Sequence, residues 1–135
     1  MAFVLDASVT LSWAFPDEDN PVAIRAGQLL ESSAESALVP SLWWYEVRNI
    51  LIVSERRRRT TPLRTASFLK EIADLSIVID FSQDESIVLE LARQTHLTVY
   101  DAAYLALAMR ERIPLATLDK NLREAALATG VELLA

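Results

Sequence analysis

Four acids in this chain, Asp6, Glu46, Asp101 and Asp119, are of a type and placement that could hold a hard divalent cation through oxygen. Asp6 follows the apolar run Phe3-Val4-Leu5, and Asp119 comes shortly after Leu115-Ala116-Thr117. Asp101 follows the apolar pair Val99-Tyr100 and is expected to open a helix. In an open parallel sheet the loops leaving the carboxyl ends of the strands converge on one crevice, so these three can meet. Each Asp taken alone also reads as a helix N-cap, a role that Asp fills well. The two roles are compatible, because one carboxylate oxygen can cap while the other faces the crevice. Glu46 is different. On a helical wheel it lies about 40° from Leu42 and Ile50 and about 20° from Val53, with Arg48 and Glu55 opposite, so it is expected on the inward stripe with Asn49 one turn on. An ionised carboxylate there needs a cation, a proton or an arginine at the edge of the stripe. Hydrolysis of a phosphodiester without a nucleophilic side chain needs an activated water and stabilised phosphoryl charge, and one or two oxygen-bound ions supply both. Acids gathered around one point also repel each other, which raises some of their pKa values and favours a cation.

The remaining composition narrows the metal. The 135 residues include no Cys and one His, His96, so thiolate nucleophiles, disulfides, cysteine-based zinc sites and multi-histidine sites are excluded within one chain. Oxygen ligands favour Mg²⁺ or Mn²⁺. The net charge of −6 argues against tight non-specific binding of nucleic acid by bulk electrostatics. It leaves a nuclease open, since bound divalent ions turn an acidic cluster into a phosphate site. No apolar run approaches the ~20 residues of a membrane helix. The opening Met-Ala-Phe-Val-Leu-Asp lacks the basic and long apolar regions of a signal peptide, so a cytoplasmic location is the expectation.

Short apolar strands alternating with amphipathic helices are the elements that must position the acids. Strands are expected at Phe3–Leu5, Ala37–Val39, Ile77–Ile79, Leu115–Thr117 and Val131–Leu134. Helices are expected from Ser8 to Phe15, from Pro21 (capped by Asn20) to about Ser32, and from a Ser41 cap to about Arg58. Others should run from Pro62 to about Leu75, Glu85 to Gln94, Asp101 to Arg112, and Lys120 to Ala128 with a stop at Gly130. Pro16 should end the first helix, with Asp17-Glu18-Asp19 as a loop. This alternation predicts one α/β domain over 1–135 with a parallel sheet covered on both faces. Arg56 to Arg59, the dense positive patch, read either as solvated charges at a helix C-terminus or as an RNA phosphate contact. Trp13, Trp43, Trp44 and Tyr45 read as core or interface groups, and three consecutive aromatics cannot all face inward on a helix. His96 reads as a surface or helix-end residue.

Val4-Leu5-Asp6-Ala7-Ser8-Val9, Glu46 with Asn49, Tyr100-Asp101-Ala102-Ala103-Tyr104-Leu105-Ala106-Leu107-Ala108 and Thr117-Leu118-Asp119-Lys120-Asn121-Leu122 together resemble PIN-domain toxins of the VapC type. The resemblance runs from about Phe3 to Leu134 in the right order. It implies a three-layer α/β/α sandwich with a parallel five-stranded sheet, and Mg²⁺- or Mn²⁺-dependent endoribonuclease activity. It also implies a toxin held inactive by a small cognate antitoxin, usually as a homodimer. By position it makes Asp6, Glu46 and Asp101 the main metal-site acids, with Asp119 completing the cluster. Thr117 would bond within the site, with Asn49 and Ser8 as supporting groups. One departure stands out: the family usually has a glycine near the basic end of the Glu46 helix, where this chain reads Glu55-Arg56-Arg57-Arg58-Arg59-Thr60.

Rival readings are a PIN-like module that only binds a partner, and an Asp-nucleophile phosphohydrolase acting through Asp6. The latter wants a second acid two residues on, where Ser8 stands.

Overall fold

The structure is a computed structural model that describes residues 1–15 and 20–135. Pro16 and the Asp17-Glu18-Asp19 loop lie outside the described residues. In chain order the elements are β1 (Ala2–Leu5), α1 (Ala7–Ala14), α2 (Pro21–Glu31), β2 (Ser36–Pro40), α3 (Leu42–Arg56), α4 (Pro62–Ala73), β3 (Ile77–Asp80), α5 (Glu85–Thr95), α6 (Val99–Glu111), β4 (Leu115–Ala116) and α7 (Lys120–Thr129). The helix signals act as the sequence leads one to expect. The Asn20 side chain accepts from the amides of Val22 and Ala23 ahead of Pro21, and Gly130 ends α7 in the left-handed conformation with φ 79°.

The strands pair in the order β3-β2-β1-β4, all parallel. The chain therefore builds outward from β1 through β2 to β3, then returns to lay β4 on the other side of β1. That reversal puts a switch point between β1 and β4, where an open sheet of this kind leaves a crevice outside its carboxyl ends. Successive strand side chains point to opposite faces, yet Phe3, Val4 and Leu5 are all fully buried, so β1 is covered on both sides. Helix α6 packs along β1, β2 and β4, while α2 packs on β2 and β4.

Three expectations are corrected. The sheet has four strands among the described residues, not five. Val131–Leu134 contributes one parallel bridge, Leu115 with Leu133, held by bonds from the Leu115 amide to the Glu132 carbonyl and from the Leu134 amide to the Leu115 carbonyl. Its neighbour β4 is two residues long and offers no further ladder. The buried stripe of α3 is Trp43, Val47, Leu51 and Ser54, not the face of Leu42, Ile50 and Val53; Glu46 lies half-buried beside it, and Ile50 and Asn49 are exposed. The bulk of Trp43, whose indole donates to Thr10 Oγ1 at 2.9 Å, sets that phase. Finally, Asp101 does not open α6. Val99 and Tyr100 are already helical, Thr98 is the cap and accepts from the Asp101 amide at 3.1 Å, and Asp101 sits in the first turn.

Candidate functional site

Strand β1 ends at Leu5, and Asp6 turns the chain into α1 with extended backbone, φ −73° and ψ 148°. Its side chain makes no capping bond. Instead one oxygen, Oδ2, accepts from Ser8 Oγ at 2.6 Å and from Thr117 Oγ1 at 2.7 Å. The same two hydroxyls accept from the loop after β4: Ser8 Oγ from the Leu118 amide at 3.0 Å, Thr117 Oγ1 from the Asp119 amide at 3.1 Å. The Asp6 amide donates to the Ala116 carbonyl at 3.0 Å. The turns leaving β1 and β4 are thus laced together across the switch point, and Asp6 is only 6% exposed at their junction.

Asp119 caps α7 through Oδ1, which accepts from the Leu122 amide at 2.9 Å, and its other oxygen makes no bond within the described residues. Glu46 arrives from α3. Its Oε1 accepts from the hydroxyl of Tyr104 at 2.6 Å, a contact that spans 58 residues of sequence. Tyr104 itself is fully buried on α6, one turn beyond Asp101. Burial pushes the Tyr104 phenol far above its ordinary value, and the negative charges of Asp6 and Glu46 add to the push, so this hydroxyl stays a hydrogen-bond donor.

The carboxylates feel one another. Burial raises the Asp6 pKa against the pull of its two hydroxyl bonds, and the charge of Asp119 raises it further. Burial also raises Glu46, opposed by the Tyr104 bond and assisted by Asp6 and Asp101. Asp101 is raised by burial, then by Asp6 and Asp119. Four acids from four separate stretches therefore share one electrostatic neighbourhood. No Lys or Arg forms an ion pair with any of them among the described residues, whereas Arg110 is fully engaged elsewhere by Asp80, Asp84 and Glu111. A buried carboxylate held by two hydroxyls, with other acids near it and no ion-paired Lys or Arg among the described residues, has the oxygen chemistry that suits a hard divalent cation. Among the described residues no group of three or more acids is close enough to hold a metal ion as it stands, so the four-acid cluster expected from the sequence is not seen assembled.

The other candidates fall in different places. Ser8 and Thr117 bond to Asp6 directly. Asn49 is exposed on α3 and makes no hydrogen bond among the described residues. Arg56 to Arg59 are exposed at the far end of α3, about 15 Å along the helix from Glu46. Arg59 stacks over Phe15 with its guanidinium carbon 4.5 Å from the ring centroid, and Arg58 takes φ 59° in the left-handed region. Trp43 is core, while Trp44 and Tyr45 are 43% and 70% exposed, with Arg48 over the Trp44 ring. His96 ends α5. Tyr104 is the site residue that sequence reasoning missed; its only signal was a polar tip on an otherwise apolar α6 face. Arg123, which donates to the Thr117 carbonyl at 3.0 Å and braces that loop, was also missed.

A family model described as the PIN domain matches residues 3–127. The chain is 32% identical over 127 residues to Ribonuclease VapC3 of Pyrobaculum aerophilum, covering 92% of this chain and 94% of that relative. Among solved structures it is similar to the crystal structure of PAE2754 from Pyrobaculum aerophilum. That match has a TM-score of 0.68 and 25% identity, and covers 93% of this chain and 87% of the other.

Proposed function

The chain belongs to the PIN-domain family, and on that premise we propose that it is an endoribonuclease dependent on Mg²⁺ or Mn²⁺. The observation that carries the reading is Asp6: buried, bonded to two hydroxyls, and coupled electrostatically to three further acids, with no ion-paired Lys or Arg among the described residues. The relative named as a ribonuclease supports the substrate class.

Asp6, Glu46 and Asp101 would hold the ion, with Asp119 completing the set. When bound, the ion supplies an activated water and a counter-charge for the phosphoryl oxygens. Ser8 and Thr117 fix the rotamer of Asp6 by occupying Oδ2. Tyr104 holds Oε1 of Glu46, while Oε2 makes no hydrogen bond among the described residues. The capping bond of Asp119 orients its carboxylate from a rigid helix end. These supports matter because a ligand free to rotate binds metal more weakly.

We extend the proposal to a VapC-type toxin of the cytoplasm, kept inactive by a cognate antitoxin and acting as a homodimer. The exposed Trp44 and Tyr45, with Ile52 on the same helix, are the aromatic and apolar surface suited to such contacts. Among the described residues no helix is long and apolar enough to cross a membrane.

The test is incubation of the purified chain with a mixed single-stranded RNA pool. Cleavage is expected with Mg²⁺ or Mn²⁺, none in excess EDTA, and a loss of at least a hundredfold in Asp101→Asn with its fold intact. Full cleavage in EDTA or by Asp101→Asn refutes the proposal, as does an intact RNA pool. A chain that binds Mn²⁺ and never cuts RNA would be a partner-binding module instead.

A further inference from the structure

Beside Asp101 a cavity of about 450 Å³ opens between the end of α5, the start of α6 and one face of α7. Asp101 stands at its edge, with His96, Gln94, Asn121 and Glu124 around it and Leu97, Ala125 and Ala128 as apolar lining. His96, Asn121 and Glu124 make no hydrogen bond to the rest of the protein among the described residues. His96 is exposed at the left-handed end of α5, φ 60°. A second cavity of about 390 Å³, between α5, α6 and the start of α3, has on its wall Arg110 paired with Asp80 and Asp84, a cation that the cavity beside Asp101 lacks.

We propose that the cavity beside Asp101 is a subsite for one unpaired nucleobase of the RNA, next to the phosphate being cut, with a preference for guanine. The inference rests on the nuclease reading and adds to it the base that the enzyme selects. The lining carries two carboxylates and no Lys or Arg, so it repels a phosphate and accepts hydrogen-bond donors. A base can bring such donors. Guanine has two adjacent ones on its pairing edge, N1–H and N2–H, which match the two oxygens of Glu124. The amide of Asn121 can donate to the guanine O6 alongside. The apolar floor with the exposed imidazole of His96 gives the base a surface on which to lie flat, the usual means by which proteins hold splayed-out RNA bases. Because Asp101 belongs to both the acid cluster and this cavity, a strand whose phosphate lies at the acids has its neighbouring base at the cavity mouth.

The experiment uses the full chain with Mg²⁺ on a randomised single-stranded oligoribonucleotide library, with cut ends sequenced. The wild-type chain is expected to enrich guanine at one position flanking the cut. Glu124→Gln, which keeps size and changes an exposed residue, should reduce that enrichment tenfold or more, in line with the loss of a bidentate base contact. Asn121→Ala should reduce it less. A wild-type chain that cuts with no preference for guanine, or a preference that survives Glu124→Gln, overturns the subsite and leaves the nuclease reading standing. A wild-type chain that cuts no RNA overturns both.

Discussion

Replacing Asp6 by Asn should stabilise the metal-free protein and destabilise it relative to wild type once Mn²⁺ is added. The amide oxygen of Asn can still accept from Ser8 and Thr117, which lie 2.6 and 2.7 Å from Oδ2. Bonds to a neutral acceptor are weaker than bonds to a charged one by roughly 1 kcal/mol each, so the substitution forfeits about 2 kcal/mol. Against that stands an effective desolvation cost of several kcal/mol for a buried ion, together with repulsion from Asp119. The pKa of Asp6 is raised despite both hydroxyl bonds, so burial and repulsion win. We expect a net gain of about 1–2 kcal/mol in EDTA at pH 7.5. With an unfolding entropy near 2.1 cal/mol/K per residue over 135 residues, that is a rise in Tm of about 4–7 °C. Mn²⁺ at a hundred times its Kd should stabilise wild type by about 2.7 kcal/mol, or about 10 °C, and the variant far less, so the order of the two proteins reverses. The sign of the pH dependence follows. A carboxyl whose folded pKa lies above its unfolded value contributes stability below the unfolded pKa and loses it as pH rises through the folded one. Asp6, Glu46 and Asp101 are all raised, so the metal-free wild type should lose stability as pH climbs above about 4. The gap to Asp6→Asn should close again on acidification. Differential scanning fluorimetry across pH, with EDTA or Mn²⁺, reads all of this. A variant less stable than wild type in EDTA at pH 7.5, or one that gains as much from Mn²⁺, would refute the reasoning.

Three further outcomes are expected. Tyr104→Phe removes the bond to Glu46 without opening a cavity, so calorimetry should find Mn²⁺ affinity reduced about tenfold with the fold retained; unchanged affinity would deny Tyr104 a role in holding Glu46. Arg58→Gly should raise stability by about 0.5–1 kcal/mol in urea unfolding, because a left-handed arginine costs about 1–2 kcal/mol and the added chain entropy of glycine takes back part of that. Reversing the charge of Arg56 and Arg57 should weaken RNA binding and flatten its salt dependence if these exposed groups touch phosphates, and binding that stays the same would remove them from the RNA path.

Much of this architecture could be read from the sequence because its signals are local. Apolar triplets such as Phe3–Leu5 become buried strands, and Asn20-Pro21 and Gly130 mark helix ends through their own backbone chemistry. The failures are cases where a distant partner decides. Val131–Leu134 has the composition of a strand, but its neighbour β4 is too short to ladder with it. The helix was expected to open at Asp101, after the apolar pair Val99-Tyr100; Thr98 supplies a cap that makes both of those residues helical. The wheel for α3 weighted all apolar residues alike, and the burial of Trp43 and its bond to Thr10 rotated the true face. Asp6 and Asp119 were legible as loop acids after strands, and their lacing through Ser8 and Thr117 follows from the pairing of β1 with β4. The Tyr104–Glu46 bond joins two helices far apart in sequence and has no local mark. The missing glycine after α3 did leave one: Arg58 occupies the left-handed position that glycine would take without strain.

The direct test of the central claim is a crystal soaked in Mn²⁺ and measured for anomalous scattering. An ion is expected about 2 Å from a carboxylate oxygen of Asp6, with Glu46 or Asp101 in the same shell and the peak lost in crystals of Asp6→Asn. A well-ordered cleft with no ion at saturating Mn²⁺, or an ion bound without Asp6, would contradict it.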